Sequence, residues 1–337
     1  MKEDPVVIVE AKRTPIGAFQ GALKGFKAPE LGAHVLQAVL SSGGLSVQDV
    51  IDEVLLGCAL SAGVGQAPAR QAMVKAGLPV RVPATTVNKV CGSGLRAIMM
   101  GADAIGAGSA HVVLAGGMES MTHAPYLLDK ARSGYRLGHG ELKDHMFLDG
   151  LEDAYEVGSL MGHLAERTAE ALGFSREAQD TFALRSIERA RRAQEEGAFA
   201  KEIVPILPSG TPSGASAGLS HDEPVALARP EKIPLLKPAF KPDGTITAAN
   251  ASGIADGAAC VLLTRLSKAR ELGLVPRARI VGYTQYAQDP QHFATAPIGA
   301  AQKLLQKTGW TKESVDLWEV NEAFAIVIPN SININAS

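Results

Sequence analysis

The chain of 337 residues is 46% hydrophobic and 20% charged, with 5% aromatic residues, 35 glycines and a formal net charge of −2. That describes a globular protein with ample core, long enough for two domains or for one large α/β domain with an insert, and it gives no global electrostatic case for nucleic acid or an anionic membrane as partner. Its three cysteines, Cys58, Cys91 and Cys260, have neither metal-type spacing nor a paired framework, which argues for a reducing compartment and against a disulfide-built fold.

The polar start Met1-Lys2-Glu3-Asp4-Pro5 leads directly into a strand. With no signal-type apolar region, long apolar span or Arg-rich transit helix, the expected location is cytoplasmic. Val6-Val7-Ile8-Val9 is a continuous β-branched run, as in a strand covered on both faces, and Arg13-Thr14-Pro15-Ile16-Gly17 breaks it. A helical pattern runs from Pro29 to about Leu40, and Ser46 followed by Asp49 marks a capped helix start. Val54–Gly57 reads as a strand and Ala67–Ala76 as a helix, and Pro83 separates that helix from a β-prone run ending at Val90. A helix-forming segment from Leu95 to Ala104 and a buried strand over Val112–Gly117 follow. This alternation predicts a mostly parallel sheet with helices on its faces.

Composition shifts after Met118. From Thr122 to about Gly244 the chain is richer in charge, proline and loop residues and reads as an insert or lid. One helix is expected there, from an N-cap at Ser175, with Glu177 in its first turn, to about Glu196. Its arginines, Arg185, Arg189, Arg191 and Arg192, read as a solvated helical face in preference to a phosphate site. Thr211–Gly218 is a flexible loop by composition. Regular patterning returns at Ala258–Leu263, followed by a helix through Leu272 and a strand near Ile280.

Gly44–Gly57 and Gly309–Asn321 share a layout of helix start, acidic-hydrophobic stretch and strand, allowing one gap, and such an echo suggests two similar halves. The expected division is an N-terminal half (1–121), a loop or lid domain (122–247) and a C-terminal half (248–337). Nothing in Pro329–Ser337 has a strong helix pattern or a counterpart of the Cys91 turn, so repeat logic predicts a second half without its closing portion.

Asn88-Lys89-Val90-Cys91-Gly92-Ser93-Gly94 places a cysteine between a strand and a helix. A helix start favours negative charge, hence the thiolate, which is the nucleophilic form. Gly92 and Gly94 leave room for a bound acyl group. The other reading of the same residues is a buried cysteine in tight strand–helix packing.

Four segments resemble the signature segments of thiolases, most closely the acetyl-CoA acetyltransferase (acetoacetyl-CoA thiolase) branch. They are Val87–Gly94, Gly116-Gly117-Met118-Glu119-Ser120-Met121, Asn250–Ala259 and Asn321-Glu322-Ala323-Phe324-Ala325. Ala11–Pro15 and Gly65–Gln71 add to the likeness, which runs from about Val6 to Ala325.

The resemblance implies two similar βαβαβ-type halves in a layered α/β core with an inserted loop domain. It implies Claisen condensation of two acetyl-CoA to acetoacetyl-CoA and CoA, or the reverse thiolysis, through an acyl-Cys91 intermediate. Coenzyme A thioesters are then the substrates, with no redox cofactor or metal, and the chain is expected to form a homodimer or homotetramer. By the same matching, Asn321 holds a water that donates into the enolate oxyanion hole; read by itself it is equally a strand-end asparagine in a turn. Glu322 would be structural. Ser252 and Ala248 would line the pantetheine channel, and Met161, Phe240, Ala323 and Phe324 would pack along the pantetheine or near the acyl group, although apolar residues are ordinarily core. Lys237, Lys241 and Arg229 are phosphate candidates on charge and neighbourhood alone.

Two departures stand out. Leu160 occupies a position where some thiolases carry a histidine near the CoA. None of the eight histidines lies in a Gly-His-Pro context, and no cysteine lies in Cys-x-Gly-Gly-Gly, so the family's second acid/base pair is not found in these residues. The chain is therefore expected to be incomplete and weak in full turnover, by on the order of 10²–10⁴ in rate. A non-catalytic CoA-binding or subunit-interaction isoform is the alternative from another class, and a thiolase of longer acyl preference is the third reading.

Overall fold

The computed structural model describes residues 4–42, 50–207 and 218–328. The helix start at Ser46 and Asp49, the loop over 211–217 and the segment 329–337 lie outside the described residues. In chain order the elements are β1 (Val6–Arg13), β2 (Gly17–Ala18), α1 (Ala28–Ser42), β3 (Glu53–Gly57), α2 (Pro68–Lys75), β4 (Ala84–Val87), α3 (Ser93–Ala107), β5 (Val112–Ser120), β6 (Tyr126–Leu127) and β7 (Lys143–Asp144). They continue with α4 (Met161–Leu172), α5 (Arg176–Glu195), α6 (Glu223–Leu227), β8 (Ala255–Arg265), α7 (Leu266–Glu271), β9 (Ala278–Arg279) and α8 (Ala296–Thr308).

The chain divides into two compact units. The first comprises Met1–Gly150, Glu196–Pro224 and Ile254–Ile280, and is built on a sheet of order β4-β3-β5-β8-β1-β9, with β2 paired to β8. β3, α2, β4, α3 and β5 form the expected βαβαβ run, with β3 parallel to both β4 and β5. The expectation of a mostly parallel sheet is corrected: β8 enters between β5 and β1 and runs antiparallel to both, and β9 and β2 also pair antiparallel. That pairing joins strands far apart in sequence, so local alternation of strands and helices carries no sign of it.

Strands covered on both faces must be apolar throughout. Val54, Leu56, Val112, Leu114 and Leu262 turn towards Leu31, Val35, Leu36 and Met73 of α1 and α2. Leu55, Val113, Ala115 and Leu263 turn to the opposite face, against Ala97 and Ile105 of α3. Burying each such side chain contributes roughly 1.5–3 kcal/mol.

The second unit comprises Leu151–Glu195, Val225–Gly253 and Val281–Ser337. Here α5 follows the expected helix closely, and α4 is an additional helix that the reading of one helix in this region missed. The strand expected to end at Asn321 is not formed: residues 315–322 have no ladder partner in the described structure. A β-prone run without a neighbour cannot satisfy its backbone as a strand.

Candidate active site

Cys91 is exposed, whereas Cys58 and Cys260 are buried, so the reading of Cys91 as a core cysteine is set aside. β4 ends at Val87, earlier than the Val90 expected, and α3 begins at Ser93 with Gly92 as its N-cap. Residues 88–91 therefore form a tight elbow. Val90 has φ +48°, a left-handed conformation that a β-branched residue adopts only under constraint.

The constraint is visible. The Val90 N–H donates to Asn88 Oδ1 (2.9 Å), and Ser93 Oγ donates to the Val90 carbonyl (2.6 Å) while accepting the Lys89 N–H (2.7 Å). Asn88 and Ser93 thus grip the residue before the sulfur from both sides. Behind the elbow, a Cβ on Gly57 would lie 2.7 Å from the Gly94 nitrogen, so glycine at the end of β3 is what lets the start of α3 seat against the sheet.

A half-buried carboxylate stands behind this turn. Glu119, on β5, accepts the N–H groups of Ala59 (2.7 Å) and Leu60 (3.1 Å) and the Cys58 thiol (3.6 Å). Burial pushes the Glu119 carboxyl above its ordinary 4.5, against the opposing pull of those donors. The folded state then holds its proton more tightly than the unfolded chain, so stability falls as pH rises from about that value through the raised folded value. Unfolding by urea across this range should show the loss in the wild-type chain and its absence in Glu119→Gln; equal slopes would refute the assignment.

Burial, with the Glu119 charge beside it, pushes the Cys58 thiol up to about 12, and burial pushes Cys260 up to about 12 as well. Both remain protonated and enclosed at neutral pH, where the thiolate is the reactive species. Iodoacetamide should therefore modify only Cys91 in the native chain and all three cysteines after denaturation. Counting adducts by mass tests this, and rapid native labelling at Cys58 would contradict it.

In the second unit the structure gathers several sequence candidates. Phe324 is buried, and Met161, Phe240 and Ala323 pack beside it on a cluster with Ala165, Ile246 and Ile326. The Phe240 and Phe324 rings meet edge to face at 6.3 Å, and a side chain at Gly162 would strike the Phe240 ring. Ser252, itself exposed, donates its N–H to the Ala323 carbonyl (3.0 Å), and Ala251 bridges to Phe324.

The turn carrying Ala248 is fixed from within. Asn250 accepts the Thr247 N–H and donates to Asp180 and to the Thr245 carbonyl, and buried Glu166 accepts the Thr245 and Ile246 N–H groups. Ala248 and Asn321 are exposed. Glu322 accepts the Ser186 hydroxyl (2.6 Å), in line with a structural role. Of the basic candidates, Lys241 pairs with Glu170 (3.1 Å) and Arg229 donates to the Ala226 and Ala228 carbonyls.

Asn88, Ser93 and the anchoring role of Glu119 were not anticipated from the sequence. Asn followed two residues later by the acceptor's N–H partner is an Asx turn, and Asn88 before Val90 was the available signal. Among the described residues no group of three or more His, Cys, Asp or Glu is placed to hold a metal ion, and no helix is long and apolar enough to cross a membrane.

Comparison with known proteins bears directly on this arrangement. The family model for the thiolase N-terminal domain matches residues 6–267, and that for the thiolase C-terminal domain matches residues 274–335. An acetyl-CoA acetyltransferase of Chromobacterium violaceum is 50% identical over 325 residues, which span 95% of this chain and 81% of that protein. One of Pseudomonas aeruginosa is 51% identical over 322 residues, with the same coverage. The crystal structure of the Bacillus anthracis acetyl-CoA acetyltransferase superposes with a TM-score of 0.92 at 42% identity, covering 97% of this chain and 82% of that one. With an α/β core of that likeness and both family models matched in order, the chain belongs to the thiolase family.

Proposed function

We propose that this thiolase acts as an acetyl-CoA C-acetyltransferase, with Cys91 as its nucleophile. The observation that carries the reading is the exposure of Cys91 alone among the three cysteines, on a clamped elbow at the start of a fifteen-residue helix. The names of the similar proteins support acetyl-CoA as the substrate.

In the first half-reaction the Cys91 thiolate attacks the thioester carbon of acetyl-CoA. The C–S bond to CoA breaks, and CoA leaves as a thiolate that takes up a proton. In the second, another acetyl-CoA loses an α-proton and its carbanion attacks the acetyl-Cys91 carbonyl, giving acetoacetyl-CoA and restoring the Cys91 thiolate. Asn321 is assigned to the enolate oxyanion site, and Ser252, Ala248, Met161, Phe240, Ala323 and Phe324 to the pantetheine and acyl surface. These assignments rest on the signature segments and on the packing of Phe240, Phe324, Met161 and Ala323 together.

Residues 1–121, 122–247 and 248–337 are read as nucleophile half, loop domain and second half, in a cytoplasmic homo-oligomer that uses only coenzyme A thioesters. Neither Cys58 nor Cys260 is suited to move the α-proton, since both are buried and held protonated.

Exchange of labelled CoA into acetyl-CoA isolates that first step. Exchange by the wild-type chain supports the reading, and its absence from folded protein refutes it. Asn321→Ala should leave this exchange unchanged, because the assigned role of Asn321 belongs to the second step.

A further inference from the structure

The elbow that presents Cys91 is tied to something deeper than its own turn. Asn88 uses both ends of its carboxamide. Oδ1 accepts the Val90 N–H (2.9 Å), and Nδ2 donates to the Ala59 carbonyl (3.3 Å), twenty-nine residues away in the chain. Ala59 in turn gives its N–H to Glu119 (2.7 Å), which also holds Leu60 and Cys58. The Cys58 N–H donates to the Val87 carbonyl (3.0 Å), so the same turn also abuts the end of β4. A continuous path of hydrogen bonds therefore runs from a half-buried carboxylate on β5, through the turn after β3, to the strained residue that precedes the sulfur.

Such a path has a physical purpose. A left-handed valine relaxes to an ordinary backbone conformation unless its surroundings over-determine it. Relaxation there would swing the Cα–Cβ bond of Cys91, the next residue. The local contacts of Asn88 Oδ1 and Ser93 define the shape of the elbow, and Asn88 Nδ2 is the side-chain group that ties that shape to the 58–60 turn, beside the backbone bond from Cys58 to Val87. Glu119 makes the turn a firm anchor because its half-buried carboxylate takes both backbone donors at once.

We propose that Asn88 and Glu119 are positioning residues for acyl transfer: Glu119 immobilises the 58–60 turn, and Asn88 transmits that placement to Val90 and so aims the Cys91 sulfur. The inference rests on the reading of Cys91 as the acetyl acceptor and goes beyond it, since neither residue touches the reacting atoms.

The test compares two rates at Cys91 in the full chain, followed by mass: acetylation by acetyl-CoA, which needs an aimed sulfur, and alkylation by iodoacetamide, which needs only an accessible thiolate. Asn88→Ser keeps a short side-chain acceptor for the Val90 N–H but cannot reach Ala59, and it should slow acetylation by about 10–100-fold with alkylation unchanged. Glu119→Gln should slow acetylation in the same direction. In the double variant the two effects should be less than additive, because both act along one path.

Additive effects, a parallel fall in alkylation, or wild-type acetylation in Asn88→Ser would each overturn the proposal. If Asn88→Ser does not fold, Asn88→Asp, which also lacks the donor to Ala59, carries the same comparison. A wild-type chain that takes no acetyl group, or a Cys91→Ala chain that takes one equally well, would overturn the nucleophile reading and this inference with it. Acetylation of wild type and Asn88→Ser at one rate would overturn this inference alone.

Discussion

Replacing Cys91 by alanine is expected to abolish CoA exchange, by a factor on the order of 10⁶, the scale on which deletion of a covalent nucleophile acts. Three observations make the loss nearly complete. The other two thiols are buried and protonated, so no second sulfur can substitute. Neither Cys58 nor Cys260 lies on the elbow that leads into α3. The strained Val90 has nothing to present once the sulfur is gone. Alanine also fits the elbow without strain, because position 91 is exposed, so folding should be preserved. Serine at the same position should be almost as inactive, since a hydroxyl without an adjacent base is a weak nucleophile at neutral pH. Exchange by Cys91→Ala within an order of magnitude of wild type would show that the acyl group is carried elsewhere.

The largest expected effect on stability lies at Arg13. Its guanidinium makes a two-pronged contact with Asp222 (2.7 and 3.1 Å), donates to Glu202 (2.7 Å) and stacks over the Phe199 ring at 5.1 Å. Asp222 also accepts the Ile16 N–H, and its side chain is only 6% exposed. The end of β1 is thereby joined to residues 199–222 within the first unit. Arg13→Ala takes both prongs away from the Asp222 carboxylate in a poorly solvated place, and breaking a buried pair from one side costs about 3–5 kcal/mol. The half-exposed Glu202 contributes little to that figure. Urea unfolding should show the loss in Arg13→Ala, a smaller one in Arg13→Lys, which keeps charge without the fork, and partial recovery when Asp222→Asn is added to Arg13→Ala. A cost below about 1 kcal/mol, the range of surface pairs, would contradict this account.

Much of this was readable from residue order. Continuous β-branched runs marked the doubly covered strands, and the cysteine between a β-prone run and a helix former marked the elbow. The limits of that reading are equally specific. Side-chain capture of the backbone by Asn88 and Ser93 ended β4 early, and propensity does not register such bonds. The antiparallel entry of β8 depends on pairing across more than a hundred residues, which no local period encodes. α4 did leave a signal, since its Ala- and Glu-rich run is closed by Gly173 in a left-handed cap. The prolines and charges around it obscured that pattern. The expected strand before Asn321 had the right composition but no neighbour, and Met161, Phe240, Ala323 and Phe324, grouped beforehand by the family resemblance alone, owe their common cluster to packing that residue order does not encode.

The most direct test is to incubate the native chain with acetyl-CoA, remove excess thioester, and locate any covalent acetyl group by peptide mass mapping. A single acetyl group, released by added CoA, is expected on the peptide that contains Cys91. An acetyl group on any other residue, or none on a folded chain, would contradict it.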